Sequence, residues 1–115
     1  PSVSVSSGEM KAYEAGTNVT PKYTATLNKG SYQYGPDTGI TASSWNVQFN
    51  EESKTEASGT FSEIQVTDST NLKITATATY ADGAIPVTNL GSEYVDGQIK
   101  AGSKANSTGA ITGYR

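Results

Sequence analysis

The sequence predicts an all-β domain, an antiparallel sandwich of about seven strands with little or no helix. Three observations carry that expectation. Short stretches alternate apolar and polar residues with the period of two that places every second side chain on one face of a strand. Between them lie clusters of Gly, Asn, Asp and Pro that supply turn geometry. Nowhere is a period near 3.6, the mark of an amphipathic helix, sustained.

The elements follow in chain order. Ser2 to Ser7 alternates Ser and Val, so Val3 and Val5 share a face of a short edge strand. Tyr13 to Thr20 reads as turn, with Ala15-Gly16-Thr17-Asn18 at its centre, and Pro21 suits the start of a strand because it donates no ladder hydrogen bond. Tyr23, Ala25 and Leu27 then alternate with Thr24, Thr26 and Asn28 as a second strand. Asn28 to Thr41, with Gly30, Gly35, Pro36 and Gly39, reads as a long loop or small hairpin. Ser44 to Asn50 is a third strand with Trp45, Val47 and Phe49 on one face. The charged stretch Glu51 to Ser58 suits a short edge strand or loop, where charge discourages sheet-to-sheet pairing.

Phe61 has the opposite parity to Ile64 and Val66, which predicts a strand with a bulge or bend. Thr67 to Asn71 is a turn. Leu72 to Tyr80 is the strongest strand signal, with Leu72, Ile74, Ala76, Ala78 and Tyr80 on one side and Lys73, Thr75, Thr77 and Thr79 on the other. Ala81 to Lys104 is too long to stay structureless in a compact domain and is expected to form an extra hairpin using Ile85, Val87 and Ile99. Ser107 to Tyr114 supplies the last strand. The expected core is Tyr23, Leu27, Trp45, Val47, Phe49, Phe61, Ile64, Leu72, Ile74 and Tyr80.

Length and composition fit one folded module over residues 1–115. Aliphatics are sparse, but the formal net charge is only -3, and Thr, Ser and Tyr take their place on a pleated, half-wet surface. No apolar run approaches the roughly 18 to 20 residues that cross a membrane as a helix, so no membrane insertion is expected. Pro1 to Met10 lacks the basic start and apolar stretch of a secretion signal, which places any such address outside this segment. The acidic balance offers no field for a phosphate backbone, and nucleic-acid binding is not expected.

Trp45 on the third strand and the run Val66-Thr67-Asp68-Ser69-Thr70-Asn71-Leu72-Lys73-Ile74 leading into the sixth resemble the immunoglobulin pattern, in which a Trp packs behind a strand announced by an Asp, a Tyr and a Cys. Here Leu72 stands for the Tyr and Ile74 for the Cys, so the resemblance implies a sandwich without tyrosine corner or disulfide. The phrases Tyr13-Glu14-Ala15-Gly16-Thr17-Asn18-Val19-Thr20, Ile85-Pro86-Val87-Thr88-Asn89-Leu90-Gly91, Ala101-Gly102-Ser103 and Thr112-Gly113-Tyr114-Arg115 are similar to repeats of immunoglobulin-like and fibronectin-like modules in large phage fibre, virion and bacterial surface proteins. That resemblance implies an extracellular, cell-surface or virion location, a module excised from a longer chain, and neighbouring domains of the same polypeptide as partners. It implies a structural or adhesive role, not chemistry.

With neither His nor Cys, the chain lacks an imidazole base, a thiolate nucleophile and the soft metal ligands. Glu51 and Glu52 are adjacent and would face opposite sides of a strand, the wrong arrangement for a paired acid and base. No Gly-x-Ser-x-Gly turn is present. Asp37, Asp68, Asp82 and Asp96 are calcium candidates only in being hard oxygen donors, and each sits where Asp favours turn geometry. An enzyme, a cofactor and a bound metal are therefore not expected. Asn18-Val19-Thr20 and Asn106-Ser107-Thr108 satisfy the glycosylation rule without further support.

Two functional readings remain from different classes, beside a third, an enzyme accessory domain, that only flanking sequence could support. The first is a spacer or display module. The second is a module that binds a glycan or cell-surface polymer through the Tyr32 to Pro36 loop and the Ala81 to Lys104 segment, with Tyr32, Tyr34 and Tyr94 as the contact side chains. Tyrosine gives large contact area at low entropic cost, which is how binding loops use it.

Overall fold

The computed structural model describes residues 1–28, 42–84, 94–95, 98–99 and 101–115. Among these residues the chain is strand and turn, with no helix. The strands are β1 (Ser2–Ser6), β2 (Ala12–Glu14), β3 (Asn18–Val19), β4 (Lys22–Asn28), β5 (Ala42–Phe49), β6 (Glu52–Lys54), β7 (Ser58–Thr60), β8 (Ile64–Gln65), β9 (Asn71–Tyr80), β10 (Gly83–Ala84), β11 (Tyr94–Val95), β12 (Gln98–Ile99) and β13 (Gly102–Tyr114).

Two sheets carry the core: one in the order β1-β4-β7, the other β2-β13-β9-β5-β6. Their pairings are antiparallel except that of β2 with β13, which is parallel. A two-stranded ladder β3-β8 and a small sheet β10-β12-β11 are separate.

The longer strands form where the apolar alternation is regular. In β4, Tyr23 and Ala25 are buried and Leu27 is half-buried, while Lys22, Thr24, Thr26 and Asn28 face water. In β9, Ile74, Ala76, Ala78 and Tyr80 are buried behind a half-buried Leu72. The alanines expose nothing, so the opposite sheet packs directly against this strand. Asn50, with φ 55°, makes the turn from β5 to β6; asparagine is one of the few residues other than glycine that enters this region readily.

Phe49, Phe61, Ile74, Ile111, Val47 and Val66 are fully buried and belong to one cluster fed by both sheets and by the segment between β7 and β9. Each contributes about 1.5–3 kcal/mol by leaving water. Its aromatic centre is Phe61, whose ring lies 5.2 Å from that of Tyr23 and 5.4 Å from that of Phe49.

Of the expected core, Tyr23, Val47, Phe49, Phe61, Ile74 and Tyr80 are buried, whereas Leu27, Trp45, Ile64 and Leu72 are half-buried and pack against the cluster from its margin. Trp45 stands opposite Ala78, one inward-facing position beyond Val47. Trp45→Ala is accordingly expected to cost about 1–3 kcal/mol, a typical destabilisation, instead of the roughly 3–5 kcal/mol of a fully buried aromatic. A urea melt followed by circular dichroism checks this; a loss as large as that of Phe61→Ala would place the indole at the centre of the core.

Four stretches differ from the sequence expectation. Tyr13 to Thr20 is not turn throughout, because Ala12–Glu14 pairs with the far end of β13 and Asn18–Val19 with β8; the turn is confined to Ala15 and Gly16, the latter at φ 97°, and is closed by the Thr17 N–H donating to the Glu14 carbonyl at 3.1 Å. The strand expected around Phe61 is two strands in different sheets, β7 against β4 and β8 against β3, with Phe61 turned into the core between them. The last strand begins at Gly102, five residues before Ser107, and is irregular between Ser107 and Ala110. In Ala81 to Lys104 the hairpin is a three-stranded sheet that includes Ile99; Ile85 and Val87 lie outside the described residues, as does most of the expected loop from Asn28 to Thr41.

Candidate functional site

Long-range side-chain bonds fasten the sheet edges. β1 and β2 lie in different sheets, and the chain crosses between them through Ser7 to Lys11. Glu9 holds that crossing: its Oε1 accepts from the backbone N–H of Lys22 at 2.8 Å and from the Ser7 hydroxyl at 3.4 Å. Tyr13 donates its hydroxyl to the Glu9 carbonyl at 2.8 Å, and the Lys11 ammonium lies 5.6 Å from the centre of the Tyr13 ring. On the opposite flank Glu52 Oε1 accepts from the Ser62 N–H at 2.7 Å, tying edge strand β6 to the segment after β7. Asn106 donates its side-chain amide to the Val3 carbonyl at 3.0 Å and fastens β1 alongside β13.

An open concavity of about 420 Å³ lies over the crossing, between Ser6 to Glu9 and Lys22 to Thr24. The Glu9 carboxylate within it is engaged by a backbone donor, and the Tyr23 hydroxyl donates to the Glu56 carbonyl at 2.7 Å. Both groups hold strands together. Ser6, Ser7, Lys22 and Thr24 also line the concavity.

Burial is the main cause that raises both Tyr13 and Tyr23 above the ordinary phenol value of 10.0; the charges of Glu9 and Glu56 respectively add to it. Because the neutral phenol is the donor in each hydrogen bond, its stabilisation is complete below the unfolded value and is lost as pH rises through the higher folded value. Stability is therefore expected to fall above about pH 10, as Tyr13 and Tyr23 ionise above the ordinary phenol value. A phenolate absorbance titration beside a circular-dichroism melt checks it. One uniform class of seven tyrosines, with no change in stability, would remove these two bonds from the account.

The expected contact residues fall as follows. Tyr32 and Tyr34, with Pro36, lie outside the described residues, and Tyr94 is described only as part of β11. Among the expected calcium candidates, Asp68 pairs with Arg115 and Asp82 accepts from the Ala101 N–H at 2.5 Å, while Asp37 and Asp96 lie outside the described residues. No group of three acidic residues gathers among the described residues. Glu51 is exposed, and Glu52 accepts from the Ser62 N–H.

Sequence reading missed Glu9, Glu52 and Asn106. Their partners stand 13, 10 and 103 positions away, and no local pattern marks a polar side chain for so distant a bond. No family model, curated protein or solved structure matches the chain.

Proposed function

We propose that the chain is a non-catalytic structural or display module, an immunoglobulin-like sandwich serving as a rigid spacer in an extracellular, cell-surface or virion protein, with neighbouring domains of the same polypeptide as its partners. The carrying observation is the path of the chain. Val3 lies beside Asn106, while Ala15 donates its N–H to the Tyr114 carbonyl at 2.7 Å. Between Asn106 and Tyr114, β13 advances on the order of 26 Å at about 3.3 Å per residue. Val3 and Tyr114 therefore lie toward opposite ends of the two main sheets, on the order of 26 Å apart along the strand direction.

The sheet orders support the sandwich type. The first strand region is divided between the two sheets, β1 joining β4 and β2 running parallel to β13, and the three long strands β5, β9 and β13 lie together. The sandwich type constrains architecture, and the spacer role rests on the chain path.

A head-to-tail fusion of two copies tests the reading by small-angle X-ray scattering. A maximum dimension close to twice that of one copy is expected, because each junction leaves one end and enters the other. A fusion whose maximum dimension barely exceeds that of one copy would refute the linear spacer.

A further inference from the structure

We propose that Asn106 is a site of spontaneous covalent modification, where the backbone nitrogen of Ser107 closes on the side-chain amide, expels ammonia and releases β1 from β13. Three observations place the reacting groups together. Of the seven asparagines, Asn18 and Asn46 precede Val, Asn71 and Asn89 precede Leu, Asn28 precedes Lys and Asn50 precedes Glu. Asn106 alone precedes a small residue, so the following side chain least obstructs the approach of its nitrogen to Cγ. In the folded chain Ser107 N already lies 2.8 Å from Asn106 Oδ1, on the carbonyl that it would attack. The site is exposed and stands at the irregularity of β13, where Ile74 N bonds the Thr108 hydroxyl at 3.0 Å. The step is intramolecular in any conformation, and a fold that holds the two groups in contact favours the geometry of attack.

The step balances with water as the co-reactant. Hydroxide or another solvent base takes the Ser107 amide proton, the nitrogen forms a bond to Asn106 Cγ, and the bond from Cγ to Nδ2 breaks as that nitrogen leaves as ammonia with a proton from solvent. Water then opens the five-membered imide at either carbonyl, giving aspartate or isoaspartate. The departing nitrogen is the donor that holds the Val3 carbonyl. Its replacement is a carboxylate oxygen, which repels that carbonyl, so β1 loses its side-chain tie to β13.

The test incubates the folded protein and the urea-denatured chain at mildly alkaline pH and follows tryptic peptides by mass. A gain of one dalton in the peptide Ala105 to Arg115, earlier than at any other asparagine and absent in Asn106→Gln, is expected. Reaction in the denatured chain with none in the folded protein, or earlier reaction at another asparagine, would overturn the site. Amide exchange of Asn106→Asp separates the consequence from the chemistry. Faster exchange across Val3 to Val5 is expected, and exchange equal to wild type would overturn the release of β1.

Discussion

Phe61→Ala is expected to lower stability by about 3–5 kcal/mol, the cost of emptying a closed aromatic site. The side chain is 1% exposed and touches rings from two strands that belong to different sheets, Tyr23 of β4 and Phe49 of β5. Its backbone is also pinned, with its N–H donating to the Pro21 carbonyl at 2.8 Å, so the chain is poorly placed to collapse into the cavity. Small domains keep only about 5–15 kcal/mol in total, so the variant should stand near its unfolding threshold. Urea melts of Phe61→Ala and Phe61→Leu measure the effect, with Leu retaining most of the volume. Equal midpoints for wild type and the alanine variant would mean that the three rings do not form the centre of the core.

Gly113→Ala is expected to be nearly as damaging for the opposite reason. A Cβ at this position would lie 1.8 Å from the Thr67 carbonyl oxygen and 2.7 Å from Val66 Cγ1. The first contact is with backbone, which no rotamer change relieves, and Val66 is itself fully buried. Overpacking costs about 1–3 kcal/mol when side chains can adjust, and this site falls at or above the upper end. The strain should appear where Gly113 pairs with Tyr13, as faster amide exchange in β2 and at the end of β13. Gly109→Ala is the control: nothing lies within 4 Å of its added carbon, and its effect should stay within about 0.5 kcal/mol. If the two variants melt alike, the close approach at Gly113 does not exist in solution.

The sequence made β4, β5 and β9 legible because one face of each is buried over several consecutive pairs, which forces alternation. It hid β2 and β3, which are three and two residues long and too short to show a period. It hid the first part of β13 for another reason. The positions that pair with the buried face of β9 there are Gly102, Lys104 and Asn106, none of which reads as apolar. Phe61 gave a true signal of irregularity with the wrong physical cause: the parity changes because the chain leaves one sheet for another, not because one strand bends. The candidate contact tyrosines came from composition and turn chemistry, and the polar ties of Glu9, Glu52 and Asn106 came from neither, since only the folded path brings their partners near.

The parallel pairing of β2 with β13 has a consequence when the two ends of the chain are drawn apart. Tension reaching Ala12 from the first strand and tension leaving Tyr114 act in opposite directions along two strands that run the same way. The hydrogen bonds between them, among them Thr112 N–H to the Lys11 carbonyl and Ala15 N–H to the Tyr114 carbonyl, are then loaded in shear and must yield together, not one after another as in a peeled hairpin. The shortest ladder joining the two ends would thereby set the force at which the module gives way.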